Sequence, residues 1–276
     1  MEGKRPPCNG WRRRESTPCM EIREAAVKAA REAGRILRER LGSTIAVEYK
    51  GDVDLVTEVD RRAEEMIVGF LGENFPDHGI LAEEGTGRES ATGARWIIDP
   101  LDGTTNYAHG FPFFCVSIAF EDSGRVICGV VYDPVRDELF TAERGRGAQL
   151  NGTPLKVSTT GELSRALLAT GFPYDIRTSP DNNLDHFARF AVKAQAIRRA
   201  GSAALDLSYV ACGRFDGFWE LKLRPWDVAA ASLIVEEAGG RISDFRGEPF
   251  SLSGVETLAS NGLIQGEMVA VLQKQA

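Results

Sequence analysis

The chemistry in this chain concentrates in one stretch, Trp96 to Asn106, which reads WIIDPLDGTTN. An apolar run ends in Asp99, and Asp102 follows after a proline and a leucine. Pro100 fixes its own backbone angle and pushes Asp99 toward an extended conformation. Asp99 therefore projects from the tip of the run, and the turn brings Asp102 beside it. Two carboxylates this close repel unless something positive sits between them. Hard oxygen donors at this density suit Mg²⁺, with the Leu101 carbonyl as a third donor. The plainer alternative is a polar turn whose aspartates cap local backbone groups. Behind them, Gly103-Thr104-Thr105-Asn106 reads as the start of a helix with free N–H groups, which favours an anion such as phosphate. A phosphate needs both parts: cations to offset its charge and donors to hold its oxygens.

The surrounding elements have to bring that stretch to a surface. Ile22, Ala26, Ala29, Ala33, Ile36 and Leu37 recur at helical spacing from Met20 to Leu41, and Gly42 is the stop. Ile45 to Tyr49 reads as a short strand. In KGDVDLVTEVD, Thr57 caps a helix with Val59, Ala63, Met66, Ile67 and Phe70 inside, ended by Gly72 and Pro76. Gly79 to Ala82 is a short apolar piece running into Glu83-Glu84-Gly85, and Trp96 to Ile98 is a strand. Phe113 to Glu121, Arg125 to Asp133 and Glu138 to Glu143 form an antiparallel meander, with turn signals at Ser123-Gly124 and Asp133-Pro134.

The second half alternates. A strand at Ala166 to Thr170 precedes a helix from about Leu184 to Lys193. Ser202 caps a further helix that Gly213 stops, a strand covers Phe215 to Leu221, and Asp227 opens a helix through Ala238. The pattern predicts an α+β half over 20–150, which carries the candidate metal and phosphate residues, and an α/β half over 151–276, with a soft boundary at Asn151-Gly152. Residues 1–19 hold five basic residues and no apolar h-region, and read as a disordered basic tail; Met20, where a clean helix begins, is an alternative start.

The chain has 276 residues and a formal charge of −7, which disfavours general nucleic-acid binding. No apolar run approaches the roughly 18 residues that span a bilayer. The five cysteines are spaced for neither a zinc site nor a disulfide framework, and read as buried thiols of a cytoplasmic protein. His78, His109 and His186 form no ligand pattern and read as solvent or loop residues. Phe111, Phe113 and Phe114 read as core packing or a dimer contact, and Arg198 and Arg199 as facing substrate or a partner subunit.

WIIDPLDGTTN, with EEG upstream and WDVAAASLIVEEAGG downstream, resembles the inositol monophosphatase family over nearly the whole chain from Met20. That family lies within a superfamily of Mg²⁺-dependent, lithium-sensitive phosphatases, and Thr105-Asn106 after D-G-T matches the inositol branch. The resemblance implies a layered αβαβα sandwich of the sugar phosphatase type, a homodimer, and a site holding two Mg²⁺ ions with room for a third. It implies that Glu83, Asp99 and the Leu101 carbonyl serve the first metal, and Asp99, Asp102 and Asp227 the second. Glu83, with Asp54 beside Thr104, would activate the attacking water. Asp102, Gly103, Thr104, Thr105, Gly201, Ser202, Ala203 and Glu220 would meet the substrate. Taken by themselves, Glu83 reads as a loop acid, Asp54 as a turn residue, Ser202 and Asp227 as helix caps, and Glu220 as a strand-end acid. The implied reaction is hydrolysis of inositol monophosphate by a metal-activated water. The alternatives are a sugar phosphatase, with fructose 1,6-bisphosphate the obvious candidate, and a binding protein associated with transcription or RNA-processing machinery.

Overall fold

The computed structural model describes residues 21–42, 47–49 and 55–273. The basic segment 1–19 and Asp54 lie outside them. Helix α1 (Ile22–Arg40) presents an alanine-rich stripe, and Gly34 brings it close to the sheet: a Cβ there would lie 2.6 Å from the Tyr132 ring. Strands β1 (Val47–Tyr49) and β2 (Leu55–Thr57) pair antiparallel. Helix α2 (Glu58–Asn74) starts at a capping box. Thr57 Oγ1 accepts from Val59 N–H, and the Asp60 carboxylate accepts the Thr57 N–H at 3.0 Å. The helix runs through Gly72 and ends at Asn74, two residues before Pro76.

Strands β3 (Gly79–Ala82) and β4 (Ala94–Asp102) are parallel. After the short helix α3 (Thr104–Ala108) comes a meander of β5 (Cys115–Asp122), β6 (Arg125–Asp133), β7 (Glu138–Glu143), β8 (Gly147–Leu150) and β9 (Thr153–Pro154). The seven strands lie in sequence order. Asn151-Gly152, expected as a domain boundary, is the turn between β8 and β9. Both residues have positive φ, +48° and +81°, which a two-residue hairpin of this hand demands.

The second sheet is built from β10 (Leu167–Thr170), β11 (Ala196–Arg198), β12 (Gly217–Leu221), β13 (Arg241–Ser243) and β14 (Glu256–Ser260), in the order β11-β10-β12-β14-β13. Its helices are α4 (Leu184–Ala191), α5 (Ala203–Ala211), α6 (Pro225–Glu237) and α7 (Gln265–Leu272).

Three apolar clusters define the layers. Helices α1 and α2 cover one face of the large sheet through Trp96, Phe114 and Phe120. Helices α5 and α6 fill the space between the sheets, against Ile97, Val131 and Phe140 of one and Ala169, Phe218 and Ala259 of the other. Helices α4 and α7 close the far face over Leu168, Trp219 and Leu258. Neighbouring residues such as Leu168 and Ala169 face opposite ways, the period of two that strands impose. The result is the expected αβαβα sandwich. The middle of α6 is buried on every side, from Val228 to Val235, as a helix between two sheets must be. It lies directly on the large sheet: a Cβ on Gly129 would sit 2.5 Å from the Ala230 carbonyl oxygen. The two halves thus share one core. No helix among the described residues is long and apolar enough to cross a membrane.

Candidate active site

Strand β4 carries the first two carboxylates, and an irregularity puts them together. Asp99 pairs with Ser117 and Asp102 with Cys115, so three steps along β4 match two along β5. The extra residue is a bulge, and Pro100, which cannot donate to a ladder, sits within it. Ser117 and Cys115 lie on one face of β5, so Asp99 and Asp102 also share a face. Without the bulge, strand alternation would separate them.

Each carboxylate is then fixed by its surroundings. Asp99 is 2% exposed, and its Oδ1 accepts the Leu101 N–H at 2.9 Å. Asp102 Oδ2 accepts the Ser202 hydroxyl at 2.7 Å and the Ala204 N–H at 2.7 Å, with the Ala203 N–H also directed at this carboxylate. Ser202 caps α5 with the same oxygen, which accepts the Leu205 N–H. Ser117, opposite Asp99, donates to the Trp226 carbonyl at 3.3 Å and brings the start of α6 beside β4. Asp227 is therefore next door. It is not the helix cap expected from the sequence but the third residue of α6, reaching back to accept the Arg224 N–H at 2.7 Å. Pro225, at the first helical position, pre-sets the backbone angle with which the helix starts. Glu83 follows β3, and its carboxyl meets that of Asp99.

The electrostatics follow from that convergence. Burial, then Glu83, Asp102 and Asp227, hold the Asp99 carboxyl well above the usual carboxylate range. Loss of hydration and the neighbouring Asp102 do the same to Asp227. Asp102 is raised by burial, with the Ser202 and Ala204 bonds opposing. The leading charges acting on Asp99, those of Glu83, Asp102 and Asp227, are of its own sign. Oxygen donors in mutual repulsion are what a hard divalent cation relieves, so the residues present fit Mg²⁺. Among the described residues no three such side chains close around a single point.

Among the described residues, the acid paired with Thr104 is Asp60. Thr104 Oγ1 lies 3.1 Å from Asp60 Oδ1 and 3.1 Å from the Leu101 carbonyl oxygen. The Asp60 carboxyl, raised by burial, also takes the Thr57 hydroxyl and N–H. Asp60, the third residue of α2, thus stands behind Thr104, while Asp54, expected there from the sequence, lies outside the described residues. A threonine cap followed three residues later by an acid was the available signal.

Gly103 connects the bulge to α3 at φ +103°, and a Cβ there would meet the Phe113 carbonyl at 3.0 Å and that of Gly201 at 3.2 Å. Asn106 ties the same loops together, donating to Phe113 O at 2.7 Å and Ala200 O at 2.8 Å. Thr105 is exposed. On β12, Glu220 lies over Gly171, where a Cβ would overlap its carboxylate. Burial pushes Glu220 up to about 8, against the pull of the Arg199 guanidinium. Arg199 thus faces the site. Asp206 on α5 escaped the sequence reading. Its Oδ1 is buried without a hydrogen-bond partner, and its carboxyl is raised by burial, Glu220 and Asp102. An acid inside an apolar helix was its only signal.

Outside the site, Cys115 and Cys128 are buried, as expected. His109 is exposed and His78 lies in the loop between α2 and β3, as expected, where it is half-buried and stacks on Phe75 with centroids 5.2 Å apart; His186 instead lies in α4, half-buried, and packs edge-on against Phe245. Phe113 and Phe114 are core residues, whereas Phe111 is 53% exposed.

A layered αβαβα sandwich with an acid cluster at a strand-end bulge between its sheets defines a protein of the sugar phosphatase type. The chain belongs to the inositol monophosphatase family, whose model matches residues 20–276. It is 50% identical over 244 residues to the protein named Nus factor SuhB of Pseudomonas aeruginosa, covering 86% of this chain and 90% of the relative. It is 46% identical over 251 residues to the inositol-1-monophosphatase of Synechocystis, covering 90% and 88%. The crystal structure of the extragenic suppressor protein suhB from Bartonella henselae superposes with a TM-score of 0.86 at 42% identity, covering 91% of this chain and 98% of that one. The family supports a phosphatase.

Proposed function

We propose that this chain is a Mg²⁺-dependent phosphomonoesterase that hydrolyses inositol monophosphate to inositol and phosphate. The observation that carries the reading is the buried Asp99 carboxyl, bonded to Glu83 and raised by burial and by the negative charges of Glu83, Asp102 and Asp227. Glu83, Asp99 and the Leu101 carbonyl would hold one cation, and Asp99, Asp102 and Asp227 a second. Bound there, Mg²⁺ would lower the pKa of a coordinated water and offset charge on the leaving oxygen. Thr104 gives its proton to Asp60 or to Leu101 O, which leaves its oxygen lone pairs free to accept a proton from that water. Asp60 stands behind it as the base. Ser202 and Ala204 occupy Asp102 Oδ2, which leaves its other oxygen for the cation. The N–H groups of Gly103, Thr104 and Thr105 serve the phosphate. Gly201, Ser202, Ala203 and Glu220 serve the hydroxyl-bearing ring. Homodimerisation, lithium sensitivity and a cytoplasmic location belong to the same proposal.

Two other readings keep specific support. A sugar phosphate such as fructose 1,6-bisphosphate suits the same acids, since the ring contacts are few. A binding role is supported by the relative named Nus factor. The experiment is phosphate release from inositol 1-phosphate, fructose 1,6-bisphosphate, 3′-phosphoadenosine 5′-phosphate and glycerol 2-phosphate, with Mg²⁺ and with EDTA, beside Asp99→Asn. Metal-dependent release that is strongest on inositol 1-phosphate and lost in the variant is expected. Stronger release from fructose 1,6-bisphosphate moves the substrate to the sugars. No release from folded protein overturns the enzyme and leaves the binding role.

A further inference from the structure

Glu64 sits on the inward face of α2 and is 0% exposed. A helix glutamate ordinarily keeps its charge in water, because burying a carboxylate is costly unless hydrogen bonds replace its hydration. Its replacements all come from one loop. Oε2 accepts the Glu84 N–H at 2.7 Å. Oε1 accepts the Thr86 N–H at 3.1 Å and the Thr86 hydroxyl at 2.7 Å. Hydrogen bonds to an ionised acceptor are roughly twice as strong as neutral ones.

The loop is the one that carries Glu83. It leaves β3 with the Glu83 N–H bonded to Ile98 O at 3.2 Å, turns at Gly85 with φ +96°, and returns at Arg88, which exchanges two 2.9 Å backbone bonds with Ile80. Both ends are therefore tied to the sheet, and the middle is gripped from inside by a single carboxylate. Only an acceptor at both oxygens matches three donors; a glutamine would set its NH₂ against one of the N–H groups.

We infer that Glu64 is a positioning residue. Through Glu84 and Thr86 it holds the loop so that the Glu83 carboxyl meets Asp99 as a cation requires. The inference rests on the reading of Glu83 and Asp99 as metal ligands. Loosening the grip removes no ligand oxygen, so metal affinity falls without vanishing, by the roughly 10–100-fold typical when a ligand's support is lost.

The test is a calorimetric titration of the metal-free full chain with Mg²⁺, for the wild type, Glu64→Gln, Thr86→Val and the double variant, with folding checked by circular dichroism. The expected result is a dissociation constant for one Mg²⁺ raised about tenfold or more in Glu64→Gln, less in Thr86→Val, and no further in the double variant. In turnover, the Mg²⁺ needed for half-maximal rate rises in parallel, and raising Mg²⁺ recovers most of the lost rate. Glu83→Gln is not recovered this way. If Glu64→Gln fails to fold, Thr86→Val alone decides the question, because its Glu64 is intact. Wild-type protein that binds no Mg²⁺ overturns the metal-site reading and this one with it. Wild-type binding with folded variants unchanged overturns the positioning role alone.

Discussion

Thr104 has one proton and two acceptors, Asp60 Oδ1 and Leu101 O, each 3.1 Å away. Its oxygen can then only accept from whatever stands on its open side, and a base behind it is worth roughly 100-fold or more in rate. Asp60→Asn is accordingly expected to lower kcat at least about 100-fold, and Thr104→Val to do the same. Asp60 also caps α2, so its variant should lose about 1 kcal/mol of stability, as should Thr57→Ala. The loss of rate is what separates the two roles. Steady-state kinetics on both variants and on Asp54→Asn decide the assignment; a greater loss of rate in Asp54→Asn would return the role to that residue. The residues proposed as metal ligands stand out in the sequence because they sit in one contiguous motif, or beside glycine and tryptophan markers. Asp60 and Glu64 were not, because each looks like an ordinary helix acid. Only the packing of α2 against β4 and the Glu83 loop gives them partners.

At the scale of elements, the site depends on how closely α6 lies on the large sheet. It carries Asp227, and it approaches β6 where Gly129 leaves room for the Ala230 backbone. A methyl group there has no flexible neighbour to displace, since the atoms it meets are main chain. Gly129→Ala should therefore cost about 1–3 kcal/mol, a fall in Tm of very roughly 2–10 °C in a chain of this size. It should also weaken Mg²⁺ binding, because α6 must move and take Asp227 with it. Calorimetric Tm and Mg²⁺ titration check both, and an unchanged Tm would show that the close approach has slack. The elements were mostly visible as periodicity. Strands β2, β8, β9, β11, β13 and β14 and helix α7 were missed; in β8 and β9, Gly-Ala-Gln-Leu and Thr-Pro lack the branched and aromatic residues that mark strands, and a neighbouring strand supplies what their sequence does not. The bulge in β4 was read as a strand tip followed by a turn. Its consequence is the one foreseen, two carboxylates side by side, but the cause is an extra residue within a continuing ladder.

Across the whole molecule, the buried acids set how stability responds to pH. Asp99, Asp102, Asp206, Glu220 and Asp227 all have folded pKa values raised above their ordinary ones, chiefly by burial. The metal-free native state therefore holds more protons than the unfolded chain between the ordinary carboxylate range and the raised values. Stability from these groups is fully present below about pH 4 and is lost as pH rises, through about 8 for Glu220. Glu220 alone represents up to about 5 kcal/mol at roughly 1.36 kcal/mol per unit. His78 and His186 act the other way, since burial lowers their folded pKa values and protonating them in acid costs stability. Two half-buried imidazoles oppose six acids, since burial raises Asp60 as well, so the acids govern the range above about pH 6.5. In EDTA, Tm should fall steadily from about pH 6.5 to about 8.5. Saturating Mg²⁺ should reverse most of that fall, because the cation binds only the folded state and prefers the deprotonated acids; at roughly 100 times its dissociation constant it adds about 2.7 kcal/mol. Scanning calorimetry across that range, with and without Mg²⁺, gives the answer. A Tm that stays level in EDTA would mean that the acids are already compensated within the protein, and that no cation is needed to hold them together.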